Sequence, residues 1–246
     1  MISPLILAFQ FLTRLPININ VDYNDKNICE SQLFYPFVGM VIGIISGGVY
    51  LAFSHAGNDI ASLLAVSSLI FLTGGLHMDG LSDTCDGFYS ARGKEKVLAI
   101  MKDSRIGPFG TISLILDVLF KYVLISNLYR DIPSALMLSC GNSRLMLLML
   151  ISYGRPARDD GMAATEIRVN KKKYFIIALI AYILFITFVF SPYYLIPLLA
   201  SFLASLLLTL KSYKTIGGLT GDVYGADNEL CEIVSMAAFL GVFKWI

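Results

Sequence analysis

The sequence predicts an all-α membrane protein, a polytopic bundle of transmembrane helices. Of its 246 residues, 56% are hydrophobic and only 15% are charged, and the mean hydropathy of +0.70 is well above that of a soluble globular domain. The long apolar runs lack the ten-residue alternation of a membrane β-barrel, which favours helices. Apolar runs and short loops alternate along the whole chain, so we expect a single membrane-embedded domain over residues 1–246.

Apolar runs close to the roughly 20 residues that a helix needs to cross a bilayer predict about seven transmembrane helices. The first fifteen residues, MISPLILAFQFLTRL, are apolar but too short to span, and they lack the basic start and cleavage site of a signal peptide. We expect them to form an amphipathic helix in the membrane interface. The seven predicted spans are 33–53, 60–76, 108–129, 133–152, 174–190, 193–210 and 229–246.

Basic residues are distributed unevenly between the two predicted sides of the membrane. Residues 1–32 and the loops at 77–107, 153–173 and 211–228 hold fifteen of the nineteen lysines and arginines, and the opposite side holds two. The positive-inside rule therefore predicts a multi-pass protein of the cell (inner, cytoplasmic) membrane whose chemistry faces the cytoplasm. The net charge of +1 and the lack of any RNA or DNA motif argue against nucleic acid as a partner.

Three aspartates follow the second predicted span, in the stretch GGLHMDGLSDTCDGF at 74–88. Asp79, Asp83 and Asp86 have the spacing i, i+4, i+7, which places three carboxylates on one helix face, where like charges repel. A divalent cation would remove this repulsion, and Mg²⁺ commonly takes one or two carboxylates together with substrate phosphates. The alternative is a solvated helix face whose acids favour the positive end of the helix dipole.

A second acidic stretch, GGLTGDVYGADNELCE at 217–232, also follows a long span on the same side. It repeats the pattern Gly-Gly-Leu-x-x-Asp, and Asp222 is followed seven residues later by Glu229, as Asp79 is by Asp86. The match predicts two helix starts that face a shared metal site. The paired glycines of both stretches would let the backbone approach a ligand closely, or would simply end a span.

Basic residues accompany the first acidic stretch, in ARGKEKVLAIMKDSRIGPFG at 91–110. Carboxylates for a metal and cations beside them are the two parts of a diphosphate site, because guanidinium and ammonium groups bind phosphate oxygens. The positive-inside rule alone explains Lys94 and Lys96. Lys102 and Arg105 directly precede a span, where a charge without a binding partner has a high free-energy cost. They are therefore predicted to bind phosphate.

Four stretches together resemble the cobalamin synthase family, adenosylcobinamide-GDP ribazoletransferase, in order over nearly the whole chain. They are FLTRLP (11–16), GGLHMDGLSDTCDGFYSARG (74–93), IMKDSRIGPFG (100–110) and GGLTGDVYGADNELCE (217–232). Asp227 departs from the small residue expected there. The resemblance implies a Mg²⁺-dependent enzyme that joins adenosylcobinamide-GDP to α-ribazole or its 5′-phosphate, which gives adenosylcobalamin or its phosphate and releases GMP.

The resemblance also implies roles for individual residues. A carboxylate not fully engaged by the metal would take the proton of the attacking ribazole hydroxyl; the candidates are Asp79, Asp83 and Asp103. The implied metal ligands are Asp79, Asp83, Asp86, Asp222 and Glu229. The substrate-binding candidates are Arg14, His77, Lys102, Arg105, Arg155, Gly217, Gly218 and Thr220, with Arg158 and Gly161 as further candidates in the loop at 153–173.

Three rival functions remain open from the sequence. A CDP-alcohol phosphotransferase shares the metal-held diphosphate but expects Ala-Arg after its first Asp-Gly-x-x, a pattern from which Ser82-Asp83 departs. An intramembrane prenyltransferase would carry closer matches to paired aspartate motifs. An ion-coupled transporter, a different class, would place its acids in the middle of the membrane rather than at the ends of spans. The expected partners are the small-molecule substrates and membrane lipid, with other enzymes of the corrinoid pathway as a hypothesis.

Overall fold

The computed structural model describes residues 2–128 and 130–245, which form a bundle of α-helices and short 3₁₀ turns. The predicted all-α fold class is confirmed. The described residues contain no β-strand beyond an isolated bridge between Pro156 and Leu219. The helices are α1 Ile2–Leu12, α2 Asp25–Ser31, α3 Tyr35–Phe53, α4 Asn58–Thr73, α5 Leu76–Phe88, α6 Lys94–Ile100, α7 Pro108–Asn127, α8 Ile132–Tyr153, α9 Met162–Val169, α10 Lys172–Val189, α11 Leu195–Ile216 and α12 Gly221–Trp245.

Five helical segments of the described chain are long and apolar enough to cross a membrane, rather than the seven that the sequence predicts. A sixth is present if α4 and α5 together form one bent span. The predicted helix at the N-terminus is present as α1. Residue 1 of that predicted helix, residue 129 and residue 246 lie outside the described residues. The five segments are Asp25–Ala56, Pro108–Asn127, Ile132–Tyr153, Lys172–Val189 and Pro192–Ile216.

The predicted span at 60–76 is wrong at its end, because α4 stops at Thr73 and the chain turns by 90° into α5. Gly74 and Gly75 make this turn with φ angles of 64° and 71°, a left-handed conformation that glycine adopts without the steric cost of a Cβ. With 13 residues, α5 is about 20 Å long and too short to cross a hydrocarbon core of about 30 Å. We therefore treat α5 as lying outside the membrane-spanning segments.

The predicted span at 229–246 is also corrected, because its helix, α12, begins at Gly221 and is not among the candidate spans. The acids Asp227, Glu229 and Glu232 are buried along this helix, and they reduce its apolar character. Helix α12 packs against α5, α7, α8 and α11. It is therefore an interior helix of the bundle rather than a lipid-facing one.

Helices α3 and α8 pack closely through a row of glycines spaced four residues apart. A Cβ at Gly43 would lie 2.5 Å from the Cα of Met137, and one at Gly47 would lie 2.6 Å from the Cα of Pro133. Small residues at this spacing allow two helix backbones to approach in a membrane bundle. The α3–α8 pair is the most extensive helix contact of the molecule.

A network of buried charges joins three helices inside the bundle. The Lys121 ammonium on α7 lies 3.3 Å from Asp117 and 3.0 Å from Glu232, and it also pairs with Glu229 on α12. The guanidinium of Arg144 on α8 pairs with the other oxygen of Glu232. Pairing reduces the large free-energy cost of holding charges in an apolar interior.

Candidate active site

Helices α5 and α12 cross at two glycines. A Cβ at Gly80 would lie 2.7 Å from the carbonyl oxygen of Asp222, and a Cβ at Gly225 would lie 2.7 Å from the carbonyl oxygen of His77. The two backbones therefore touch, and this contact requires glycine at both positions. As a result, the helix starts that carry the two acidic stretches face each other.

A cavity of about 310 Å³ lies beside this crossing. Its lining includes residues of the loops at 77–107, 153–173 and 211–228, which the distribution of basic residues predicts to lie on one side of the membrane. Among the predicted site residues, it is lined by His77, Asp79, Lys102, Arg158, Gly161, Thr220 and Asp222. We refer to it as the acidic cavity.

Asp79 and Asp83 carry the two carboxylates of this region that are least engaged with the protein. Asp79 is exposed and Asp83 is half-buried, and neither carboxylate makes a hydrogen bond or ion pair with another residue of the described chain. Burial, followed by the negative charges of Asp79, Asp222 and Asp86, raises the pKa of Asp83 to about 6. A cation bound here would relieve that repulsion.

The described residues contain no converging group of three or more side chains that could hold a metal ion by themselves. A hard cation such as Mg²⁺ usually takes one or two protein carboxylates and fills its remaining positions with water and substrate phosphates. Asp79 and Asp222 line the acidic cavity, and Asp83 lies one helical turn beyond Asp79. Two of these three carboxylates, together with substrate phosphates, could hold such an ion.

Asp86, predicted as a metal ligand, instead accepts hydrogen bonds from the start of α7. Its two carboxylate oxygens accept the backbone N–H groups of Gly107 at 2.6 Å and Gly110 at 2.8 Å. These N–H groups have no partner within their own helix, and a carboxylate also favours the positive end of the helix dipole. Asp86 therefore joins the end of α5 to the start of α7.

Glu229, also predicted as a metal ligand, does not line the acidic cavity. The seven residues between Asp222 and Glu229 correspond to about 10 Å along a helix, so Glu229 lies deeper in the bundle. There it is buried and paired with Lys121. Of the acids in the second acidic stretch, Asp222 alone lines the cavity.

Each cation of the acidic cavity is paired with an aspartate. Lys102 lies 3.4 Å from Asp160, and Arg158 lies 3.3 Å from Asp222. Two backbone hydrogen bonds hold the segment before Arg158. Leu219 N–H donates to the carbonyl of Arg155 at 2.9 Å, and Ala157 N–H donates to the carbonyl of Leu219 at 2.8 Å. These cations are accessible to an anionic ligand that displaces the aspartates.

Arg105, Asp103 and Arg155 lie elsewhere than the cavity wall. Arg105 is 87% exposed and pairs with Asp103 at 2.7 Å, and its hydrogen bonds lower the pKa of Asp103 to about 2. A carboxylate with so low a pKa is a poor proton acceptor at neutral pH. The guanidinium of Arg155 lies 5.0 Å from the ring centroid of Tyr213.

Arg14 packs on the bend between α4 and α5 rather than in the cavity wall. Its backbone N–H donates to the carbonyl of Leu72 at 2.7 Å. A Cβ at Gly74 would lie 2.6 Å from the Cγ of Arg14, so the arginine side chain crosses this glycine. The segment FLTRLP thereby fixes the turn that leads into α5.

Of the predicted site residues before α12, Thr220 lines the acidic cavity, whereas Gly217 and Gly218 do not. Gly217 ends α11 with a φ of 82°, and a Cβ at Gly218 would lie 2.7 Å from the backbone of Ala157. Thr220 Oγ1 accepts the N–H of Val223 at 3.3 Å and donates to Asp222 at 3.2 Å. The glycines therefore allow the segment before α12 to approach the segment at Ala157 closely. Thr220 caps α12 and orients Asp222.

The family model of cobalamin-5-phosphate synthase matches this chain over residues 4–240. The chain belongs to this family. It is 38% identical to adenosylcobinamide-GDP ribazoletransferase from Treponema denticola, over 96% of this chain and 98% of that protein. The enzyme of that name from Clostridium botulinum strain Loch Maree is 38% identical, over 97% and 98%, and that from Clostridium kluyveri is 32% identical, over 96% and 95%. No solved structure matches the chain.

The resemblance recognised in the sequence is thus confirmed, and the matched region includes both acidic stretches. In this member of the cobalamin-5-phosphate synthase family, His77 lines the acidic cavity as a buried side chain. Its Nδ1 has no hydrogen-bond partner in the part of the chain that the structure describes. His77 therefore leaves a buried polar atom unsatisfied at the wall of the cavity.

Glu166 is a cavity residue that the sequence does not reveal. It lies on α9, buried in the wall of the acidic cavity, where its carboxylate accepts hydrogen bonds from Gln32 and from the Tyr35 hydroxyl, the latter at 3.3 Å. Burial raises the pKa of Glu166 to about 7. In the sequence this glutamate stands in a polar loop, seven residues after Asp159, but without the Gly-Gly-Leu-x-x-Asp pattern that marks the two acidic stretches.

Proposed function

We propose that this protein catalyses the adenosylcobinamide-GDP ribazoletransferase reaction. It joins adenosylcobinamide-GDP to α-ribazole or its 5′-phosphate and releases GMP, a late step of coenzyme B12 assembly. The observation that carries this proposal is the family match over residues 4–240, together with relatives of that name that align over nearly their whole length. The acidic cavity supports it, because the two acidic stretches meet there.

The charges of the acidic cavity suit a diphosphate substrate. Lys102 and Arg158 bind its phosphate oxygens and exchange their present partners, Asp160 and Asp222, for the substrate. Such an exchange is favourable when a more highly charged anion replaces a carboxylate, because charge-assisted hydrogen bonds strengthen with charge. The aspartates released in this exchange become available to a cation.

The cation would be Mg²⁺, held by Asp222 and by Asp79 or Asp83, with phosphates of the substrate as further ligands. When bound, it would supply positive charge that offsets the charge of the phosphates and of the departing GMP. The ribazole hydroxyl oxygen forms a bond to the phosphorus on the cobinamide side, and the bond from that phosphorus to the oxygen of GMP breaks. Whichever of Asp79 and Asp83 does not hold the cation would take the hydroxyl proton, because neither carboxylate makes a hydrogen bond or ion pair with another residue of the described chain.

The site faces the cytoplasm of the cell membrane. This orientation is supported by the fifteen basic residues on the side that includes all three cavity loops. Nucleotide-linked substrates reach the site from that compartment.

The test measures GMP released by the purified protein in detergent from adenosylcobinamide-GDP and α-ribazole, with and without Mg²⁺. We expect Mg²⁺-dependent GMP, and at least a hundredfold lower rate for Asp79→Asn. Asp22→Asn, an exposed acid outside the cavity, is the matched control and should retain the full rate. Folded protein that forms no GMP but uses a CDP-alcohol or a prenyl diphosphate would show that a diphosphate site had been assigned to the wrong substrate.

A further inference from the structure

An apolar groove lies on the opposite side of α8 from the acidic cavity. It has a volume of about 590 Å³ and is formed between α8, α10 and α11. Its lining on α11 runs from Leu195 to Tyr213, about 27 Å at 1.5 Å per residue, close to the thickness of a bilayer core. None of the residues that line it also lines the acidic cavity. We call it the α10–α11 groove.

The side chains inside the groove are almost entirely apolar. Leu150 and Phe175 are buried residues of its lining, and Leu179, Leu199 and Leu206 line it as well. Helices α10 and α11 follow each other in the chain but contact each other little, since the groove separates them. A bundle that leaves a space of this size between neighbouring helices loses packing contacts unless another apolar molecule fills it.

One end of the groove combines aromatic rings with cations. Tyr153 and Tyr213 line this end. The Lys172 ammonium lies 5.2 Å from the ring centroid of Tyr153, and the guanidinium of Arg155 lies 5.0 Å from that of Tyr213. Neither cation makes an ion pair with a carboxylate of the described residues. This end also lies on the side of the molecule that carries most of the basic residues.

We propose that the α10–α11 groove is a binding site for one anionic phospholipid. An acyl chain lies between α10 and α11, and the phosphate lies between Lys172 and Arg155. Charge complementarity favours this occupant: a lipid phosphate neutralises two cations that have no carboxylate partner, and tyrosines with basic residues are typical of the level of the headgroups. A second copy of this chain would bring the same cations together and leave them unpaired, which is unfavourable.

The test is native mass spectrometry of the protein in detergent, titrated with phosphatidylglycerol or with phosphatidylcholine of the same acyl chains. We expect one phosphatidylglycerol to be retained in preference to phosphatidylcholine. Lys172→Gln should lower phosphatidylglycerol retention about fivefold, the effect of one basic residue near an anionic headgroup. Lys96→Gln removes an equally exposed lysine from the same side of the protein and should leave retention unchanged.

A second pair of variants tests the apolar part of the groove. Leu199→Trp fills the groove and should lower the retention of both lipids. Leu203→Trp places the same ring on the same helix, at an exposed residue outside the groove lining, and should have no effect. Equal retention of the two lipids with no response to Lys172→Gln would overturn the proposal. A dimer that Leu199→Trp dissociates would overturn it as well, because a second copy would then occupy the groove.

Discussion

Asp79 and Asp86 lie on the same face of α5, and their surroundings separate their roles. The carboxylate of Asp79 faces the acidic cavity, whereas that of Asp86 accepts two backbone N–H groups of α7. Their spacing in the sequence gives no reason to expect different roles for the two carboxylates. The distinction between a ligand-binding acid and a helix-capping acid therefore depends on the next element that packs against each of them.

This distinction predicts opposite consequences for two matched substitutions. Asp86→Asn replaces one accepting oxygen with a donor that opposes an N–H of α7, and should lower the free energy of unfolding by about 1–2 kcal/mol. Asp79→Asn should leave stability unchanged or slightly raised, because it removes one of several like charges, while it lowers the rate of GMP release at least a hundredfold. Thermal unfolding of both variants in detergent tests this. Equal loss of stability in the two would contradict the assignment.

Glu166 predicts a pH dependence of stability. Its pKa of about 7 in the folded protein is above the value of an unfolded glutamate, so the folded state retains the proton up to higher pH. Its contribution is therefore fully present below about pH 4.5 and is lost as the pH rises through about 7, by on the order of 3 kcal/mol.

Glu166→Gln keeps the shape of the side chain and removes its titration. The melting temperature of this variant should fall less steeply between pH 5 and 8 than that of the unaltered protein. Glu95→Gln, an exposed glutamate on α6, is the control and should follow the unaltered protein. Parallel pH profiles for Glu166→Gln and the unaltered protein would show that Glu166 does not titrate in this range.

At the scale of elements, the α3–α8 contact depends on glycines that face the partner helix. Gly43→Ala would bring a Cβ to 2.5 Å from Met137 Cα, and we expect a loss of about 1–3 kcal/mol from overpacking. Gly48→Ala on the same helix meets nothing within 4 Å and should be neutral or stabilising, since alanine favours helix over glycine. Detergent melting temperatures compare them. A larger loss for Gly48→Ala would refute this packing.

At the scale of the whole molecule, the buried charges connect α7, α8 and α12 behind the acidic cavity. Glu232 accepts from both Lys121 and Arg144, so Glu232→Gln leaves two buried cations with reduced neutralisation. We expect a loss of about 3–5 kcal/mol, visible as a smaller monodisperse fraction after detergent extraction. Glu30→Gln, a change at the periphery of the bundle, should extract normally. Normal extraction of Glu232→Gln would mean that the network contributes little to stability.

Membrane orientation is also a property of the whole molecule. In a cysteine-free background, Lys96→Cys should react with an impermeant thiol reagent only after the cells are permeabilised, because its loop carries the basic residues. His55→Cys, in the exposed connection between α3 and α4, should react in intact cells. The reverse pattern would place the acidic cavity outside the cytoplasm.

The sequence by itself determined the membrane class, the helical fold, the family, and the two acidic stretches with the side of the bundle that carries them. Hydropathy and helical spacing are local properties, so they can be read along the chain. The i, i+4 spacing of Asp117 and Lys121 is local in the same sense, and the two residues pair in the structure.

Only the tertiary structure decided which acids share a cavity. The bend at Gly74 and Gly75, the crossing of α5 and α12, and the place of Glu229 in the buried charge network all depend on contacts between segments far apart in the chain. Because Asp79 and Asp86 lie on the same face of one helix, the sequence predicted metal binding for both. Packing separated them, because the energy of a carboxylate depends on the donors and charges that the fold brings next to it.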